Sequence, residues 1–231
     1  MNMKLHQFDN ATAINQQFAT EIDQHLAEAI SLRGKAYLVV SGGRTPQQLF
    51  NTLAQMPLDW SKVVITLADD RFLPETAADS NERLVKASLL QHAASAASFI
   101  SLYAPQQRAE DAVPELLARV AHLPTFDVVI LGMGEDGHTA SLFPCSAELA
   151  AGLAEGAADL LAVNPTTAPY QRISFSRRRL QNSRAVYLHL VGASKLQVLQ
   201  QATSDNDVTK MPIRAFIQQT DPELSVMYAA N

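Results

Sequence analysis

The chain contains one cysteine, Cys145, in 231 residues, so no intramolecular disulfide can form and a stapled secreted mini-protein is excluded. It has no basic excess: 18 Lys+Arg stand against 23 Asp+Glu, which argues against a polyanion partner, and no nucleic acid is expected. Long apolar runs are missing too, the best being about five to seven residues where a membrane span needs roughly 20. The opening Met1-Asn2-Met3-Lys4-Leu5-His6-Gln7 lacks the apolar stretch of a secretory signal. These absences point to a soluble, cytoplasmic protein in a reducing setting with no membrane partner. No His/Cys/Asp/Glu set shows zinc spacing, so no metal is expected. Linkers, repeats and low-complexity tracts are absent as well. With 47% hydrophobic residues, the simplest reading is a single domain over 1–231.

What is present is an alternation of helical and strand patterns. Asp9 or Asn10 can cap a helix whose apolar residues Ile14, Phe18, Ile22, Leu26 and Ile30 recur every four positions. Residues 36–40 form a short branched apolar run leading into Ser41-Gly42-Gly43-Arg44-Thr45-Pro46, with Thr45 placed to cap the next helix and Pro46 to occupy its first position. Further strands are expected at 63–68, 98–102, 126–131, 160–163, 173–175, 185–191 and 224–228. Helices are expected at 81–91, 109–120 and 194–201, with a polar loop over 69–80. Buried-looking strands separated by helices predict an α/β fold, a mainly parallel sheet with helices on both faces.

In open parallel sheets ligands bind beyond the carboxyl ends of the strands, so three loops draw attention. Ser41-Gly42-Gly43 offers free amides, a hydroxyl and a following helix N-terminus, the ingredients of a phosphate site; equally, it is a turn needing glycine only for positive φ. It matches neither the nucleotide P-loop nor the dinucleotide fingerprint. Asp69-Asp70-Arg71 is either a strand-end constellation or a solvated ion pair. In Gly132-Met133-Gly134-Glu135-Asp136-Gly137-His138, Asp136 lies two residues from an imidazole that it can orient for proton abstraction, and the glycines suit close approach of backbone to a ligand. The other five histidines, His189 among them, read as structural. The run Arg172, Arg177, Arg178, Arg179, Arg184 is either a solvated face or, with Lys195, a source of phosphate donors. Nothing suggests that Cys145 is activated as a nucleophile.

The segment from Phe126 to Pro144, through Gly132-Met133-Gly134-Glu135-Asp136-Gly137-His138-Thr139-Ala140-Ser141, closely resembles the signature of 6-phosphogluconolactonases. Ser41 to Pro46, Asp69-Asp70-Arg71, Ser80-Asn81, Arg172-Ile173-Ser174 and Gly192-Ala193-Ser194-Lys195 resemble that family's segments in the same order, so the likeness spans nearly the whole chain. The resemblance implies a Rossmann-like fold shared with glucosamine-6-phosphate deaminases, and hydrolysis of 6-phospho-D-glucono-1,5-lactone in the second step of the oxidative pentose phosphate pathway. It implies His138 as the base that activates water, Ser41, Gly42, Gly43, Arg172 and Lys195 as a phosphate clamp, and Asp69 and Arg71 beside the sugar ring. The partner is then a small sugar-phosphate lactone, no cofactor is needed, and a monomer or weak homodimer is expected.

Physical chemistry assigns reasons to these parts: an activated water, donors for a growing oxyanion from loop amides or Arg71, and an anchor for the ring. Two positions depart from the family pattern: Arg44 stands where a small residue is commoner, and Asp70 where glutamate is. The sister deaminase activity is disfavoured by Phe143, which occupies the position of a proton-relaying glutamate in that pattern, and by Arg71 in place of a tyrosine. A non-catalytic sugar-phosphate sensor is a further alternative, disfavoured by the lack of length for a DNA-binding domain and by the intact Asp136–His138 pair.

Overall fold

A computed structural model describes residues 3–231. Its frame is a seven-stranded sheet in the order β1 (Met3–Phe8), β10 (Leu224–Ala229), β9 (Ser183–Val191), β6 (Phe126–Leu131), β2 (Ala36–Val40), β3 (Val63–Leu67), β5 (Ser98–Ile100), with every neighbouring pair parallel. All six residues of β6 are buried, as befits a central strand covered on both faces. The one polar member, Asp127, is neutralised there by Arg33 at 2.6 Å, Arg184 at 3.4 Å and the Tyr37 amide at 2.8 Å.

The helix read from the four-residue periodicity is α1 (Ala11–Arg33), which buries Ile14, Phe18, Ala19, Ile22, Leu26 and Ala29. Asn10 caps it, its side-chain oxygen accepting the Ala13 N–H at 2.9 Å, and Gly34 closes it in the left-handed region, with φ of 78°. The next helices are α2 (Gln47–Leu53), α3 (Asn81–Ser88), α4 (Ala109–Val120), α5 (Leu149–Leu153), α6 (Arg177–Gln181), α7 (Ala193–Thr203) and α8 (Arg214–Ile217). No helix among the described residues is long and apolar enough to cross a membrane.

Several expectations are corrected. Residues 69–71 are not loop but strand β4 (Asp69–Arg71), and it pairs antiparallel with β8 (Arg172–Phe175), which pairs antiparallel with β7 (Leu160–Val163). The runs at 160–163 and 173–175 are therefore strands of a separate three-stranded antiparallel sheet, not of the parallel one. Pro46 stands at the N-cap of α2 rather than in its first turn, and no side chain caps that helix, so Thr45 does not serve there. The helix expected over 81–91 ends at Ser88. Strand β1 was not foreseen, because its exposed edge position leaves little apolar patterning in Met3–Phe8.

This topology sets the location of the site. From β2 the chain steps outward to β3 and β5, then returns to lay β6 on the other side of β2. The strand order reverses between β2 and β6, and a crevice opens beyond the carboxyl ends of those two strands.

Candidate active site

The crevice is a cleft of about 560 Å³. Of the nine residues singled out in the sequence, Ser41, Gly42, Gly43, Asp69, Arg71, His138, Arg172 and Lys195 line it together, and Asp136 stands directly behind His138. The structure thus brings together the segments that follow β2, β6 and β9 with residues of the strands β4 and β8 themselves.

The loop after β6 is folded by its own backbone. The Gly134 amide donates to the His138 carbonyl at 2.9 Å, Gly137 turns with φ of 74°, and Thr139 Oγ1 donates to the Gly132 carbonyl at 2.8 Å. A Cβ on Gly134 would lie 2.1 Å from His138 Nδ1 and 2.7 Å from an Asp136 oxygen, so glycine there gives the imidazole its space. His138 Nδ1 lies 2.5 Å from Asp136 Oδ1, which also accepts the His138 amide at 3.1 Å. With Nδ1–H donated to the carboxylate, Nε2 carries the lone pair. Burial works against the Asp136 carboxylate, but its hydrogen bonds and charge interaction with His138 outweigh that and hold its pKa below the ordinary value.

On the opposite wall, β8 alternates so that Arg172 and Ser174 share a face while Ile173 and Phe175 enter the core. Arg172 is 6% exposed, yet it forms no salt bridge among the described residues: one Nη donates to the Pro169 carbonyl at 3.0 Å and its buried Nε has no partner. Burial lowers its pKa, against the pull of Asp69. Directly across the strand pair stands Arg71, so two cations face each other in register, an unfavourable pairing unless an anion joins them. Arg71 itself donates to the Asp79 carbonyl at 2.5 Å.

Asp69 is 7% exposed and accepts the Ser141 hydroxyl at 2.5 Å, tying the small sheet to the glycine loop. Its neighbour Asp70 turns away from the cleft and accepts the Asn81 and Glu82 amides at 2.7 and 3.0 Å, capping α3; burial nonetheless pushes its carboxyl up to about 7. Lys195, in the first turn of α7, donates to the Met133 carbonyl at 3.0 Å and pairs with exposed Glu135 at 2.6 Å. Gly42 lies so close to Asn81 that a Cβ would fall 2.0 Å from its side-chain oxygen, and Gly43 has φ of 98°. Gly42 is therefore required by the packing and Gly43 by its left-handed backbone, and the Ser41 hydroxyl beside them is buried without a partner.

The other arginines of the run do not reach the cleft: Arg177 pairs with Glu155, Arg178 with Asp159 and Arg184 with Asp127, while Arg179 is buried against the Leu123 and Pro124 carbonyls; Arg44, after the Ser41–Gly43 loop, does line it. Sequence reasoning missed Asp79, Asn81 and Tyr170 as cleft residues, though Asn81 sits in a segment quoted for the family likeness. His189, read as structural within the expected strand 185–191, also proves to line the cleft. The ring is 4% exposed in the cleft wall, both nitrogens lack partners, and burial depresses its pKa to about 4.

Fold and site together define an α/β protein of the doubly wound class, with an acid–imidazole pair and a cationic wall at the switch point. The chain belongs to the glucosamine-6-phosphate isomerase/6-phosphogluconolactonase family, whose model matches residues 9–226. It is 40% identical to a 6-phosphogluconolactonase of Pseudomonas putida over 93% of this chain and 89% of that one. It is 39% identical to one of Rhizobium meliloti (strain 1021) over 99% and 100%. The crystal structure of a 6-phosphogluconolactonase from Shewanella baltica OS155 superposes with a TM-score of 0.97 at 48% identity, covering 99% of this chain and 98% of that one. A monomeric glucosamine-6-phosphate deaminase shares the fold at a TM-score of 0.81 and 16% identity.

Proposed function

We propose that this chain, acting as one unit over 1–231, hydrolyses 6-phospho-D-glucono-1,5-lactone to 6-phosphogluconate, the second step of the oxidative pentose phosphate pathway. The observation that carries the reading is the Asp136–His138 pair set in the same cleft as a buried, unpaired Arg172. A buried cation without a counterion is costly, and a phosphate dianion removes that cost while also separating Arg172 from Arg71. Lys195 and the Ser41–Gly43 amides complete the clamp; the exposed Glu135 carboxylate holds Lys195 until phosphate replaces it.

With the phosphate anchored, the lactone carbonyl lies toward His138. Nε2 takes a proton from water as the oxygen attacks that carbon, and Asp136 stabilises the imidazolium that results. Negative charge passes to the carbonyl oxygen, for which Arg71 and the glycine-loop amides are the donors at hand. Collapse of the tetrahedral intermediate expels the ring oxygen, which recovers the proton from His138. Asp69, locked by Ser141, stands beside the sugar ring. The sister deamination is disfavoured because Phe143 has no group to relay a proton to a sugar ring oxygen.

The test is proton release from freshly prepared lactone, comparing wild type, His138→Ala and buffer, with glucosamine-6-phosphate assayed for ammonia in parallel. Turnover is expected to fall by about two to four orders of magnitude in the variant while phosphate-ligand binding persists. Near-wild-type turnover, or ammonia release, would overturn the assignment.

A further inference from the structure

Phe143 is 4% exposed, yet it is not part of the continuous apolar core that takes in its neighbour Leu142. It lines the cleft, where two polar side chains lie against its ring. The His138 ring stacks on it with centroids 4.1 Å apart and 29° between planes, and the Arg172 guanidinium carbon lies 5.6 Å from its centroid. The backbone that carries Phe143 is fixed on both sides. Ser141 is bound to Asp69 and Ser174, and the Phe143 carbonyl accepts both the amide and the hydroxyl of Ser146 at 3.1 Å.

We propose that Phe143 is a positioning residue that joins the base His138 and the anion-binding Arg172 into one rigid unit. The proposal rests on the lactonase reading and deepens it. Asp136 holds the imidazole at one atom, about which the ring can still pivot; a face-to-face contact removes that freedom and fixes the line along which Nε2 meets water. The same ring touches Arg172, so the distance between proton acceptor and phosphate anchor is set by one immobile plate. When His138 gains its proton, the site holds two cations. An aromatic face attracts each of them without adding a charge that would compete with the phosphate for Arg172, which an aliphatic side chain of similar size would not do.

The test compares Phe143→Leu and Phe143→Tyr with wild type by steady-state kinetics on the phosphorylated lactone and by proton NMR of the His138 ring. Stacking places the His138 ring protons in the shielding region of the phenyl, so their resonances are expected upfield in wild type and the tyrosine variant and displaced downfield in the leucine variant. The leucine variant is expected to lose about ten- to a hundredfold in kcat with KM changed by less than about threefold, and tyrosine to restore most of the loss. Equal kcat in the leucine variant and an active wild type would overturn the inference. So would unshielded His138 resonances in the wild type, a measurement that stands even if the leucine variant fails to fold. A wild type inactive on the lactone would overturn the lactonase reading itself.

Discussion

His189 is expected to tax the folded state in acid by an amount the structure allows to be worked out. Its ring is buried on β9 against the edge of Phe18, at 5.5 Å between centroids, with neither nitrogen hydrogen-bonded, so the charged form is disfavoured and the pKa falls from 6.5 to about 4. A base whose folded pKa is depressed binds fewer protons folded than unfolded between those values. Stability from the neutral ring is therefore full above about pH 6.5 and lost as pH falls toward 4. Linkage over that shift gives a loss of about 2 kcal/mol between pH 7 and pH 5. The wild-type curve alone does not report it, because Asp70, with its carboxyl raised to about 7, takes up its proton in the same window and stabilises the fold as pH falls. The difference between wild type and His189→Leu cancels Asp70. Urea denaturation at pH 5, 6 and 7 should show the leucine variant gaining about 2 kcal/mol on the wild type from pH 7 to pH 5. Parallel pH curves for the two proteins would refute the assignment of a neutral, desolvated imidazole.

Two further outcomes bear on the site itself. Gly134→Ala places a methyl 2.1 Å from His138 Nδ1, so the ring must leave its bond to Asp136; kcat should fall by about a hundredfold with little change in melting temperature, and a fully active variant would show the ring tolerates displacement. Arg172→Ala and Lys195→Ala should each raise KM by tenfold or more, in keeping with loss of a charged hydrogen bond. Each should also shrink the preference for phosphorylated over plain gluconolactone, and an unchanged preference would remove that residue from the clamp.

The parts of this molecule that were legible in its sequence are those whose cause is local. Strand β6 reads as a strand because burial on both faces demands an unbroken apolar run, and α1 reads as a helix because one face meets the sheet at every fourth residue. The glycine loop was legible for the same reason, since its acid, imidazole and glycines lie within seven residues of one another. The small antiparallel sheet was not, because Asp69-Asp70-Arg71 has no strand propensity of its own. It is extended because β8, a hundred residues on, pairs with it and because the Asp70 carboxylate is consumed in capping α3. Nor does local sequence distinguish Arg172 from Arg177, Arg178 and Arg179. The difference lies in the register of β8, which turns Arg172 into the cleft, whereas the others find carboxylates or carbonyls. The proposed chemistry depends on both kinds of cause. A locally encoded acid–base pair becomes a catalyst only when the non-local register of β4 and β8 sets unpaired cations across the cleft from it, at the one point where the order of the parallel strands reverses.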